Sequence, residues 1–440
     1  MDADQVSLGQ STMRRVMWRV MPLIVLMMML AVIDRSNVAF AKLQMVRALS
    51  MTEVAYGFAS SLFFIGYLVF EVPSALAAHR FGARLWFARI VLTWGVLTVA
   101  LAYVSSGSWF AALRFLVGSA EAGSYPGMIY YLTLWFPRQY RVQAVALLTL
   151  GSPLGNMFGS LFGGTLLAFD GAFGLAGWQW VFVVTGLPAI LLAVAIYLAL
   201  PDRPASSTFL PEAEKNWLVR ELAAEANQVP SHAKLWRVFI DPRVLVQSLV
   251  YINVTLALYG VIYWLPTVIR DFGASPAQNG LLSAIPWGVA AAVLVWLPRY
   301  MRSEKSVLVA TIIVAAVGIA SFTLSTLPVP VWLRYLALSV GTPCVSMLFP
   351  CFWYFPPRLF KGAQSAAAIG IVSTIASLGG FGAQNLMPWV AATFGSAASA
   401  MAVPAIAFAI LGSVAMVLLV RRPLGGDLPD EARAGAAVTR

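Results

Sequence analysis

Apolar residues run along this chain in stretches of about twenty, the length a helix needs to cross the hydrocarbon layer of a bilayer. Twelve such stretches lie near 18–41, 52–78, 84–105, 108–136, 141–168, 176–200, 244–270, 276–300, 306–326, 329–356, 362–391 and 395–420. Short polar connections separate them, with one exception at 201–243. That segment carries Pro201, Pro204, Pro211 and Pro230, and its stretch from Glu212 to Glu225 reads as an amphipathic helix. The pattern predicts an all-α membrane protein: a six-helix half over 1–200, a linker over 201–243, a second six-helix half over 244–422 and a tail over 423–440. A short echo joins the halves, because Phe136-Pro137-Arg138-Gln139-Tyr140-Arg141 after the fourth run returns as Pro356-Pro357-Arg358-Leu359-Phe360-Lys361 after the tenth. Parallel six-helix repeats about a central linker are the sequence trace of a transporter that rocks around a site between its halves.

Composition sharpens this picture. The chain is 60% hydrophobic and only 11% charged, with 15 Trp, outside the range of ordinary soluble domains. Its net charge of +11 could point to nucleic acid, but the Lys and Arg residues are scattered over short loops and form no continuous patch, so no nucleic-acid partner is expected. They report topology instead. With the N-terminus in the cytoplasm, most fall on the cytoplasmic side, and only Lys42, Arg47, Arg270 and Arg334 fall outside. This predicts a multi-pass inner-membrane protein with both termini cytoplasmic. Arg14, Arg15 and Arg19 precede the first run as in a signal peptide, yet the run is too long and has no small-residue cleavage site, so it reads as a retained helix.

Cys344 and Cys351 share one apolar run, and His79 and His232 fall in loops, which suggests neither a disulfide framework nor a metal site. No Ser/His/Asp set or phosphate loop of usable spacing points to an enzyme. Gly155 and Gly159 read as helix packing. No cofactor is expected; the driving force would be a proton gradient.

Chemistry has to come from ionisable side chains inside the apolar runs, where each costs about 2.5–3.5 kcal/mol on insertion scales. Five qualify, all in the first four runs: Asp34, Arg35, Glu71, Arg114 and Glu121. Arg114 and Glu121 are two turns apart on one helix face. Asp34 and Arg35 are adjacent and diverge by about 100°, so one can meet helix four while the other faces a central cavity. The expectation is that Asp34 and Glu121 carry protons, with Arg114 the cation that holds them ionised in one state. Arg35, left partly unpaired, would then bind a substrate carboxylate. The same four groups also suit a static ion-pair network that pins helix one to helix four. Glu71, just before Pro73 and the basic run His79, Arg80, Arg84, reads as a gating contact at the cytoplasmic helix boundary. The second half offers Asn253, Tyr259, Trp287, Trp353, Gln384 and Asn385. Any one suits core or lipid packing, and together they suggest ring contacts and hydrogen bonds around a ligand.

These residues also carry a resemblance. Ile33-Asp34-Arg35-Ser36-Asn37-Val38-Ala39-Phe40 on helix one resembles the anion:cation symporter family of the major facilitator superfamily. So does Arg114-Phe115-Leu116-Val117-Gly118, through Glu121-Ala122-Gly123 and Pro126-Gly127 to Trp135-Phe136-Pro137, on helix four. The likeness covers nearly the whole chain. Leu210-Pro211-Glu212-Ala213-Glu214-Lys215-Asn216-Trp217-Leu218 and Trp264-Leu265-Pro266 are similar to bacterial tartrate, phthalate and hydroxyphenylacetate permeases. The resemblance implies proton-driven uptake of organic acids across the inner membrane. Asp34 and Glu121 would handle protons beside Arg114, Arg35 would engage the anion and Tyr67 would offer a hydroxyl contact.

The chain departs from the family in its loops. Around Arg80-Phe81-Gly82-Ala83-Arg84, His79 stands at the usual Asp and Ala75 at the usual Gly, while Pro298-Arg299-Tyr300-Met301-Arg302 has no acid, so the usual charge-relay latch loses its carboxylates. Ser373 and Ser377 stand where the family often has two Asn, implying a roomier, less polar wall and a bulkier substrate. The resulting expectation is a monomeric proton-coupled symporter importing a small carboxylate such as tartrate, a sugar acid or an aromatic acid. Its partners are that acid, protons and lipid. Two carboxylates allow two protons per anion, so monocarboxylate uptake would also draw on the membrane potential, worth about 2.3 kcal/mol per charge per 100 mV. The alternatives are an organic-anion exchanger without net proton flow, which would need no buried acids, and a transporter-like membrane sensor, which would carry a larger soluble output domain.

Overall fold

The computed structural model describes residues 3–226, 240–296, 300–301, 303–356 and 363–421. Among them are α1 (Ala3–Ala48), α2 (Glu53–Phe81), α3 (Ala83–Leu101), α4 (Gly107–Glu121), α5 (Ser124–Trp135), α6 (Arg138–Leu167), α7 (Gly177–Ala199), α8 (Glu212–Ala226), α9 (Pro242–Asp271), α10 (Pro276–Trp296), α11 (Glu304–Thr326), α12 (Val331–Trp353), α13 (Ala363–Phe394) and α14 (Ala402–Val420). The described residues hold no strand. Side-chain caps start several helices where the sequence offers Ser, Thr or Asp: Thr52 for α2, Ser106 for α4, Ser303 for α11, and Asp241 followed by Pro242 for α9.

Among the described residues, ten helices are long and apolar enough to cross a membrane. The other two predicted crossings differ in kind. The run 108–136 is not one helix. It breaks after Glu121, where Ala122 leaves helical geometry and Gly123 takes a left-handed conformation (φ 78°) before α5 begins. A side chain at Gly123 would be strained at that φ and would run into Ser74. The predicted run 362–391 is one continuous helix, α13, whose 32 residues are ample to cross a bilayer.

α1 begins far ahead of the predicted residue 18, because its first turns pack on the linker helix α8. Arg15 Nε lies 3.3 Å from Glu214 Oε1, the Ser11 hydroxyl donates to the same oxygen at 3.2 Å, and the Trp217 ring covers Gly9. At its far end α8 presents Glu225, which accepts from the Arg138 amide at 2.6 Å and from Arg141 Nη2 at 3.1 Å. Asp202, also in the linker, accepts from the Arg84 amide at 2.9 Å. An acid from the linker therefore reaches the junction of α2 and α3, just past His79, expected in a loop but part of the last turn of α2. The linker over 227–239 with Pro230 and His232, the run Pro298, Arg299 and Arg302, the echo Pro357–Lys361 and the tail 423–440 lie outside the described residues.

In the first half α1 packs on α6 and α7, α3 on α7, and α2 on α4; in the second, α9 packs on α13 and α14, and α11 on α12 and α14. The halves meet along α2–α13, α6–α10 and α1–α9. Glycine makes the tightest of these approaches possible. A Cβ at Gly164 would collide with Gly280 across the halves, and one at Gly118 with the Phe63 carbonyl.

Candidate functional site

A cavity lies between the halves, lined by Arg35 of α1, Tyr67 and Glu71 of α2, Tyr251 and Tyr259 of α9, and Ser373 and Ser377 of α13. It encloses about 150 Å³, a volume that accepts a benzene-sized molecule. Its lining on α9 follows one helix face through Tyr251, Thr255, Leu258, Tyr259 and Ile262. The lining positions spread from mid-bundle toward the end bearing the linker: Leu294 is two residues from the end of α10, and Ser346 and Phe349 are in the last two turns of α12.

At the opposite end the halves are closed against each other. Lys42 Nζ of α1 lies 3.0 Å from Glu53 of α2, donates to Thr267 of α9 at 3.2 Å, and sits 3.4 Å from the centre of the Trp264 ring. Arg270 approaches the same Glu53 at 3.9 Å. Asn385 Nδ2 of α13 donates to Ser61 of α2 at 3.0 Å. The sequence reading counts Lys42 as a loop charge; the structure buries it, 5% exposed, inside α1.

Arg35 is the centre of the cavity wall. Its Nε and Nη2 reach Glu121 Oε1 at 2.7 and 2.6 Å, its Nη1 donates to the Tyr259 hydroxyl at 3.1 Å, and its guanidinium lies 5.1 Å from the Tyr67 ring and 5.6 Å from Phe63. Arg35 is therefore not left partly unpaired: it is the cation that meets helix four. Asp34 turns the other way, toward α3 and α7. Thr98 donates to its Oδ1, Asn37 donates to that oxygen at 3.4 Å and also to Thr185 at 3.1 Å, and Oδ2 has no partner.

Arg114 is fully buried, yet none of its three nitrogens makes a hydrogen bond. It lies over the Phe63 ring at 4.7 Å, within electrostatic reach of Asp34 and Glu121. The direct ion pair to Glu121 comes from Arg35 on another helix, while Arg114 acts on Asp34 and Glu121 through its charge alone.

The structure brings Tyr67, Tyr259 and Ser373 to the cavity with Arg35. It does not bring Asn253, which donates to the Leu249 carbonyl of its own helix at 2.9 Å, or Asn385, which serves the contact with Ser61. Trp287 is buried in the core, and Gln384 lines a small second cavity beside Lys42. Trp353 stands behind the wall, donating from Nε1 to the Tyr251 hydroxyl at 3.0 Å. Glu71, expected at the boundary of α2, is instead in the cavity wall, because α2 continues to Phe81.

The sequence reading missed Tyr251, although stepping back two turns from Tyr259 along an α-helix would have found it. It missed Thr98 because a lone Thr in an apolar run gives no signal. Among the described residues no three His, Cys, Asp or Glu side chains gather to hold a metal ion.

Comparison with known proteins agrees with this architecture. The family model of the Major Facilitator Superfamily matches residues 24–384. A protein of Agrobacterium vitis named for tartrate transport is 36% identical over 421 residues, covering 94% of this chain and 96% of its own. A quinolone resistance transporter of Acinetobacter baumannii is 39% identical over 377 residues, covering 84% and 86%. Among solved structures, the Escherichia coli xylose transporter XylE in a partially occluded inward open conformation matches with a TM-score of 0.72 at 14% identity, over 92% of this chain and 99% of its own. With its helices in two halves around a central cavity, this chain belongs to the Major Facilitator Superfamily and is a multi-pass membrane transporter.

Proposed function

We propose that this transporter is a proton-coupled symporter that imports a small organic anion. One observation carries the reading: the guanidinium in the cavity wall, Arg35, is already held by a fully buried carboxylate, Glu121. A substrate carboxylate arriving at Arg35 competes with Glu121 for the same donors. Protonation of Glu121 removes its charge and releases the guanidinium, so proton and anion load together. Deprotonation restores the internal pair and expels the anion. Asp34, one residue along α1 and bonded by Thr98 and Asn37, is the second proton carrier in this scheme, and Arg114 supplies positive potential to both carboxylates from behind. No cofactor enters the scheme; the proton gradient drives it.

The distribution of basic residues favours a cytoplasmic linker end; on that reading the cavity faces the cytoplasm and the Lys42–Glu53 cluster is the closed outer end. Alternating access then consists of opening that end while the linker end closes. A volume that suits one ring, with Tyr67, Tyr251 and Tyr259 around it, favours a compact aromatic acid over a larger anion. The relative named for tartrate transport supports carboxylate chemistry more generally.

The test is proton movement in proteoliposomes. On adding an aromatic monocarboxylate at pH about 6.5, near the working range of such gradients, an internal pH dye should report acidification that Glu121→Gln abolishes, while counterflow of labelled acid survives in the variant. Counterflow without acidification in the unaltered protein would establish exchange and reduce Asp34, Arg114 and Glu121 to a structural ion network.

A further inference from the structure

Glu71 is the one acidic side chain, among the described residues, that lines the cavity itself; Asp34 and Glu121 lie behind the wall. It is 5% exposed. Thr374 lies within electrostatic reach of its carboxylate, while Oε2 is buried without a partner. The two cations nearby are already committed, Arg35 to Glu121 and Arg114 to the electrostatic field of Asp34 and Glu121. With all groups ionised, three carboxylates therefore face two guanidinium groups around this cavity among the described residues, and Glu71 has no direct ion pair or shared hydrogen-bond network with either. A carboxylate in a low-dielectric wall without a cation of its own is expensive; among the described residues the nearest positive charge, Arg35, is shared with Glu121, and the ligand space is open to a second cation.

The surroundings fit a particular kind of cation. Tyr67 precedes Glu71 by one turn on the same face of α2. Tyr251 lies within electrostatic reach of Glu71, and Tyr125, Tyr251 and Phe349 share the cavity wall with it. Aromatic faces grouped around an acid are the arrangement that recognises alkylammonium groups, by cation–π attraction combined with charge pairing. A proton alone would need no such rings. The Arg35 guanidinium sits over Tyr67, so the anion-binding and acidic positions are about one helical turn, roughly 6 Å, apart.

We propose that Glu71 binds a cationic nitrogen of the substrate, so that the transported molecule is a zwitterion with its carboxylate at Arg35 and a protonated amine about one helical turn, ~6 Å, away. This proposal rests on the organic-acid reading of the same cavity and adds a second, oppositely charged anchor to it. Glu71 thereby becomes a specificity residue distinct from the proton carriers.

Two probes of matched shape test it: para-(aminomethyl)benzoate, which carries both charges, and para-toluate, which carries only the carboxylate. Binding to the purified full-length protein is read by isothermal titration. The unaltered protein should favour the amine-bearing acid by about tenfold or more, the range of a desolvated charge pair with ring contacts. In Glu71→Gln that preference should collapse toward unity, and in Glu71→Asp, which keeps the charge, it should persist in weakened form. Equal affinity for the two acids in the unaltered protein overturns the proposal without any variant, and so does a preference that Glu71→Gln leaves intact. Binding of para-toluate alone defeats the zwitterion proposal while leaving the organic-acid reading in place; binding of neither acid defeats both.

Discussion

At the scale of single residues, the least expected feature is a guanidinium with no hydrogen bonds. Arg114 is wholly buried with Nε, Nη1 and Nη2 unpartnered, a costly state that the ring of Phe63 and the field of Asp34 and Glu121 offset. Removing it leaves Arg35 as the only nearby cation for two buried carboxylates. Arg114→Met should therefore destabilise the protein by about 3 kcal/mol, the range for breaking a buried charge set, seen as a lowered melting temperature in detergent. The double variant Arg114→Met/Asp34→Asn, which removes one charge of each sign, should recover part of the loss. Independent, additive losses would mean that the two groups are not coupled.

The ionisable residues were legible in the sequence because charge is conspicuous in an apolar run. Their pairing was not, since a 100° divergence between Asp34 and Arg35 allows either one to face helix four. What decides it is packing. Gly155, Gly159 and Gly163 of α6 receive Val32, Ser36 and Phe40 of α1, and once that face is committed, Arg35 is aimed at the cavity and Asp34 at Thr98. The two glycines that the sequence reading singled out as packing residues thus orient the charged pair. Only a contact between two distant helices reveals the consequence.

At the scale of elements, the break between α4 and α5 is the clearest departure from the apolar pattern. Hydropathy is blind to it, because Ser124-Tyr125-Pro126-Gly127 and the residues after them stay apolar enough to extend the run. The backbone at Gly123 causes it (φ 78°). Ending α4 at Glu121 lets α5 take a new direction, with Tyr125 in the cavity wall. Gly123→Ala should cost about 1–2 kcal/mol from the left-handed backbone alone, and more from contact of the new methyl group with Ser74. The expected outcome is reduced yield of folded protein and a lower melting temperature, relieved in part by Ser74→Gly. An unchanged melting temperature would mean that α4 can run on through position 123.

The whole molecule is held in its observed state by one closed end. Lys42, Glu53, Thr267, Trp264 and Arg270 join α1 and α2 to α9, while Asn385 joins α13 to Ser61 of α2. Each contact crosses from one half to the other or braces one that does, and each must separate if a substrate is to enter from that side. The sequence could not reveal this cluster, since Lys42 reads as a loop charge and its partners on α9, Trp264 and Thr267, lie more than two hundred residues away. A covalent tie across it tests whether it moves. Ser61→Cys with Asn385→Cys, in a background where the buried Cys344 and Cys351 are replaced by Ala, can be joined by a short bis-methanethiosulfonate reagent. Cross-linked protein in liposomes should lose transport by more than about tenfold, because an alternating-access carrier locked in one state cannot turn over. Ligand binding at the linker-end cavity should persist, since that opening does not pass the tie. A reducing agent should restore transport, which separates locking from damage. Full transport in completely cross-linked protein would mean that the halves do not part along α2 and α13, and that substrate crosses by some route other than opening this end.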